Sequence, residues 1–212
     1  LWVTAHLSLR GDPRLPDGRA QRRFLPTRFT PRGTALDEAG AECHQLACPN
    51  CHLAIPRACT EIDPLFVSII GMPGAGKSYL LGAMAHTLRR RLPDDFHVGF
   101  TDTEAAFNVR IARYEDALFN NARRDEPALL NELIGKTQET GDDYNEVLFG
   151  RNPVTYPRPL LFTLRPRADH PLAAEAAAAS RVLFLYDNAG ESFAAGSESN
   201  ASPVTRHLAE SE

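Results

Sequence analysis

Residues Gly71-Met72-Pro73-Gly74-Ala75-Gly76-Lys77-Ser78 have the form G-x-x-x-x-G-K-[ST], the spacing of a phosphate-binding loop. Its glycines let successive backbone N–H groups turn toward one point and form a concave anion site. Lys77 adds a charge that reaches β- and γ-phosphates, and the Ser78 hydroxyl is a hard oxygen ligand for Mg²⁺. Tyr79 follows directly and completes the expected nucleotide-binding set. A second constellation is Asp187-Asn188-Ala189-Gly190-Glu191. An acid at the end of an apolar strand serves Mg²⁺ in phosphate-loop enzymes. A glycine three residues later offers its N–H to a γ-phosphate, so the loop orders with triphosphate and relaxes after hydrolysis. The same residues also suit an ordinary strand-end turn. Their position downstream of a phosphate loop favours the nucleotide reading.

The third constellation is a cysteine cluster at Cys43, Cys48, Cys51 and Cys59. Cys48-Pro49-Asn50-Cys51 is a knuckle that presents two thiolates to one tetrahedral zinc. Cys43 and Cys59 complete a Cys₄ set at looser spacing, and His44 and His52 are close enough to substitute. Structural zinc is the leading expectation. Incidental free thiols and a redox C-x-x-C remain as alternatives. A structural zinc would stabilise a small ribbon with little core of its own. His86, His97 and His170 show no ligand spacing and read as ordinary polar residues.

These groups need elements to hold them. Leu65–Ile70 is a short apolar run of buried-strand type, and 79–88 continues as a helix whose N-terminus faces the phosphates. The helix is expected to run to about Leu92, with Pro93 closing it. Residues 96–100 alternate weakly, as a strand. Phe107, Ile111, Tyr114 and Leu118 are spaced by four, three and four, which predicts one helical face. Arg110, Arg113 and Asp116 fall off that stripe and read as a solvated face. A further helix is expected at 127–138, then a loop over 141–157. Strands are expected at 160–164 and 181–186, and a short helix at about 203–210. Residues 172–180 suit either a short helix or a hairpin arm. Residues 1–42, rich in Arg, Pro and Gly, read mostly as loop, with a possible strand at 2–7.

Composition bounds the class. A chain of 212 residues accommodates one α/β domain and a small appendage. Its net charge of −4 argues against broad nucleic-acid binding. Lys77 and Lys136 are the only lysines, an arginine bias that reads as a GC-rich, bacterial coding sequence. No apolar run reaches membrane-span length and no leader opens the chain, so a soluble cytoplasmic protein is expected. The first residue is Leu1, which reads as a cut end.

Ile69-Ile70-Gly71-Met72-Pro73-Gly74-Ala75-Gly76-Lys77-Ser78 and Leu185-Tyr186-Asp187-Asn188-Ala189-Gly190-Glu191 together resemble the first and third motifs of translation-factor-related, Ras-like GTPases. The wording is most similar to bacterial double-GTPase-type proteins, which carry a cysteine-containing segment before the GTPase domain. The resemblance covers roughly 43–212. It implies that Lys77 and the loop amides bind phosphates, that Ser78 and Asp187 serve Mg²⁺, and that Gly190 senses the γ-phosphate. It further implies a switch threonine that closes on Mg²⁺. Thr155 is the candidate, with Thr101 and Thr103 as rivals. Glu191 stands where Ras-like enzymes place a water-orienting glutamine. A carboxylate there could polarise water but would repel γ-phosphate charge.

The expected fold is therefore an α/β P-loop NTPase with an incomplete sheet, a helical insertion at about 104–140 and a small N-terminal zinc-ribbon-like module. Residues 1–62 are assigned to the Arg/Pro-rich segment with the cysteines, and 63–212 to the GTPase-like domain. The guanine-selecting Asn-Lys-x-Asp motif is absent from this sequence, so the domain is expected to continue past Glu212 and to leave a sheet edge exposed. The expected cofactors are GTP or ATP, Mg²⁺ and Zn²⁺. The expected activity is slow GTP hydrolysis used as a switch. An ATPase or nucleotide kinase, and a non-hydrolysing scaffold, are the alternatives. A protein partner is expected on the insertion or the zinc module.

Overall fold

The computed structural model describes residues 3–72, 74–120 and 144–187. The chain forms two compact units, Leu1–Thr60 with Asn145–Tyr156, and Glu61–Tyr144 with Pro157–Glu212.

The first unit is built from short antiparallel strands. β1 (Val3–Arg10) lies between β2 (Gln21–Phe24) and β6 (Leu46–Ala47), and β6 pairs with β7 (Ala54–Ile55). β3 (Arg28–Phe29), β4 (Ala35–Leu36) and β5 (Glu42–Cys43) make a second small sheet. The segment expected as a loop over 141–157 contains a hairpin, β10 (Tyr144–Phe149) and β11 (Asn152–Pro157). Its turn holds Gly150 at φ 69°, a conformation that favours glycine. Strands this short bury little apolar surface, so buried polar groups tie the unit together. Asp12, 4% exposed, accepts the N–H groups of Arg14 at 2.9 Å and Arg23 at 2.8 Å. His52 Nδ1 lies 2.9 Å from its carboxylate. Burial works against this charge, but the Arg23 and Arg14 N–H groups and His52 outweigh it and hold the carboxyl below its ordinary value. Buried Asp37 plays a similar part, accepting Ala41 N–H at 2.8 Å.

The second unit is one mixed four-stranded sheet with helices. The strand order is β8 (Pro64–Ile69), β13 (Arg181–Asp187), β12 (Leu160–Pro166), β9 (Val98–Asp102). β8 and β13 are parallel, while β12 is antiparallel to both its neighbours. β13 and β12 are the interior strands, and Val182, Leu185, Leu160, Leu161 and Phe162 are buried to 1% exposure or less. β8 is an edge strand of this sheet, so its apolar residues are only half-buried. α1 (Lys77–Asp95) runs through Pro93 into its last turn, beyond the expected stop. A proline there removes one intrahelical hydrogen bond near an end that already lacks several. α2 (Val109–Phe119) presents Ile111 and Tyr114 to the core, as the spacing predicts, with Leu118 packed beside them. Arg110, expected on the solvated face, is half-buried. Residues 173–179 form a short 3₁₀ turn and a single helical turn, α3 (Ala176–Ala179).

The expected fold class is corrected by these observations. Strands predominate and are divided among four small sheets, and the described residues contain three α-helices. The protein is a small mixed α/β chain. The zinc-ribbon-like module is likewise overturned, since among the described residues no three His, Cys, Asp or Glu side chains form a metal-holding group. The cysteines lie on separate short elements. Cys43 is buried on β5, its Sγ donating to Ala41 O at 3.6 Å. Cys48 and Cys51 lie in the β6–β7 turn, and Cys59 lies in a 3₁₀ turn, Arg57–Thr60. None of the four is in a disulfide. His52 is turned to Asp12, and His44 lies 3.7 Å from Glu42.

Of the insertion expected at 104–140, a 3₁₀ turn at Ala105–Phe107 and α2 are described. The helix expected at 127–138 lies outside the described residues, as does the one at 203–210. No described helix is long and apolar enough to cross a membrane.

Candidate phosphate and metal site

The glycine-rich loop from Gly71 to Gly76 links β8 to α1, both in the second unit. Gly74 and Gly76 have φ of 75° and 80°, a region that β-carbon-bearing residues rarely enter. Ala75 N–H reaches Met72 O at 3.2 Å and closes a turn. Gly76 caps α1 in the left-handed conformation, and no side chain caps the helix. The first-turn N–H groups have no acceptor within the helix, and they carry the positive end of its dipole. Phosphate oxygens are the natural acceptors for such groups.

Lys77 opens α1, and its side chain folds back over the loop. Its Nζ donates to Gly71 O at 2.9 Å and Met72 O at 3.1 Å. The ammonium is therefore held at the loop mouth by two carbonyls, while its stem packs near Gly71. Ser78, one residue on, donates from Oγ to Asp187 Oδ2 at 3.1 Å. Asp187 is 1% exposed and ends β13 directly opposite Ile69 in the parallel register. Two residues 109 positions apart thus meet where two parallel strands finish. The donor set of the pair, a hydroxyl and a carboxylate, is of the hard oxygen type that suits Mg²⁺. Mg²⁺ is commonly held by one or two carboxylates plus substrate phosphates and water, so these two residues fit such an ion.

The remaining predicted residues divide clearly. Tyr79 packs against the hydrophobic core. Met72 is exposed, and Ala75 lies in the turn. Pro73, Gly190 and Glu191 lie outside the described residues. Thr155 stands on β11, whose residues up to Tyr156 belong to the first unit. Thr101 is exposed on β9, and Thr103 shares a hydrogen bond of 3.0 Å with Thr163.

Asn108, which was not anticipated, ties the start of α2 to the sheet. It is 2% exposed at the start of α2. Its Nδ2 donates to Leu161 O and its Oδ1 accepts from Leu161 N–H, both at 2.8 Å. The side chain pairs with β12 as a strand would, just beyond the end of β9. Asparagine before a helical stripe signals a cap, but this side chain makes no cap bond. Arg89 of α1 joins the same region, reaching Asp102 at 2.7 Å and Glu115 at 3.2 Å. Burial disfavours its charge, yet the two carboxylates prevail and raise the affinity of Arg89 for its proton.

No family model matches the chain, and neither a curated protein nor a solved structure matches it.

Proposed function

We propose that this chain binds the phosphates of a nucleoside triphosphate with Mg²⁺, and that GTP bound in this way is hydrolysed slowly to drive a conformational switch. The observation that carries the reading is the Ser78–Asp187 contact at 3.1 Å beside the Lys77-bearing loop. A chance glycine-rich turn gives no reason for a serine at the loop's end to meet a buried carboxylate from a distant strand. The preference for GTP rests on the likeness of Gly71–Ser78 and Asp187–Gly190 to the motifs of Ras-like GTPases of the double-GTPase type. We place the protein in the cytoplasm, with a protein partner engaged through the insertion expected at about 104–140.

In this reading Lys77 leaves the Gly71 and Met72 carbonyls and turns its ammonium to the β- and γ-phosphates. The first-turn N–H groups of α1 bind the same oxygens. Ser78 and Asp187 would hold Mg²⁺, which supplies neutralisation of the charge on the transferring phosphoryl group. Gly190 would contact the γ-phosphate, and Glu191 would orient water. Phosphate release from GTP tests the proposal. Release should require Mg²⁺ and be abolished in Lys77→Ala, and release that persists in that variant would refute the assignment.

A further inference from the structure

The Cys48–Cys51 pair has no part in the nucleotide reading, and among the described residues it belongs to no group of three or more His, Cys, Asp or Glu side chains able to hold a metal. We propose that Cys48 and Cys51 are a reversible redox dithiol, oxidised to an intramolecular disulfide by a low-molecular-weight disulfide. The pair occupies the loop Cys48–Leu53, which joins β6 to β7 where Ala47 pairs with Ala54. This loop is fixed from several directions. Cys48 N–H donates to Leu53 O at 3.0 Å, and His52 N–H donates to Cys48 O at 2.9 Å. Arg23 Nε donates to His52 O at 3.1 Å. The His52 ring is tied to buried Asp12, and its backbone sits at φ 60°. Two thiols held in a preformed loop react with each other without first losing chain entropy.

The two sulfurs are not equivalent. Cys48 Sγ accepts the Asn50 N–H at 3.4 Å. Burial, with Cys48 close by, pushes the Cys51 thiol up to about 11. In the proposed exchange Cys48 makes the first attack and Cys51 resolves it. Both are half-buried, whereas Cys43 is 4% exposed.

The chemistry balances as a thiol–disulfide exchange. The Cys48 thiolate attacks one sulfur of a disulfide R–S–S–R, that S–S bond breaks, and one thiolate leaves and takes up a proton. Cys51 then releases its proton to solvent and attacks Cys48 Sγ. The second R–S⁻ departs and is protonated. Two protein thiols are oxidised and one small disulfide is reduced to two thiols.

The full chain should be equilibrated in buffers of reduced and oxidised glutathione, alkylated, and mapped by mass spectrometry. Under oxidising ratios the Cys48–Cys51 peptide should lose two hydrogen atoms, reversibly with dithiothreitol. In Cys51→Ser, glutathione should accumulate on Cys48. Should that variant not fold, the map of the unaltered chain decides. Alkylation of both thiols in excess oxidised glutathione would overturn the proposal, as would a disulfide to Cys59. Stoichiometric zinc on the pair that blocks oxidation would overturn it equally.

Discussion

Replacing Asn108 by alanine should weaken the second unit by about 3 kcal/mol, a figure that follows from its three hydrogen bonds. Leu161 N–H loses its acceptor at 2.8 Å inside a nearly closed environment, and a buried orphan donor costs about 1–3 kcal/mol. Leu161 O is spared the same fate, because Thr103 N–H still reaches it at 3.0 Å. The bond from Nδ2 to Asp102 Oδ1 at 2.5 Å is also lost, a charge-assisted contact at the surface worth about 1 kcal/mol net. No capping energy is lost, since the side chain does not cap α2. For a chain of this size, about 3 kcal/mol lowers Tm by roughly 6–12 °C. Scanning calorimetry reads the shift, and amide hydrogen exchange at Leu161 reads the local cause. Asn108→Asp should be worse, since a carboxylate would then face both Leu161 O and Asp102. A variant melting within about 1 °C of the parent, with Leu161 still protected, would refute the reasoning.

Other perturbations have equally definite outcomes. At Gly82→Ala a new Cβ would lie 2.9 Å from Leu118 Cδ1 and 3.2 Å from Tyr114 Cβ. The gain of about 1 kcal/mol in helix propensity should be outweighed by overpacking of about 1–3 kcal/mol, which urea unfolding would show as a lowered midpoint. The Asp12 carboxyl is lowered from 3.8 on folding, so its contribution is present above that value and lost as pH falls through the lower folded one. Asp12→Asn should therefore destabilise the chain near neutrality and flatten the acid limb below about pH 4 in urea midpoints against pH. An acid limb unchanged by the substitution would remove Asp12 from that role.

What the sequence made legible was what periodicity and spacing can encode. β13, β12 and the α2 stripe are long enough to show their periods, and the loop motif announces itself through glycines with left-handed φ. The two-residue strands β3 to β7 carry no period at all, and they form only because polar anchors such as Asp12 and Asp37 hold their turns. The β10–β11 hairpin was hidden by Pro153 and Pro157, which read as loop residues yet sit in a strand of a two-stranded ribbon, where a missing N–H is tolerated. The cysteine spacing suggested a zinc cluster because spacing alone cannot reveal that Cys43 belongs to a different sheet. Asp187 was found as a strand-end acid, but its meeting with Ser78 is a tertiary fact that only the parallel register of β8 and β13 supplies. Asn108 was missed because its partner, a backbone group 53 positions away, leaves no local mark.

The central claim is tested most directly by titrating fluorescent GTP into the chain, with and without Mg²⁺, and competing with unlabelled GTP and ATP. Binding should depend on Mg²⁺ and be displaced by GTP in preference to ATP, and it should weaken about 10–100-fold in Lys77→Ala by loss of one charge-assisted contact. Asp187→Asn should remove the dependence on Mg²⁺. Equal displacement by ATP would contradict the GTP assignment, and no binding at all would contradict the phosphate site itself.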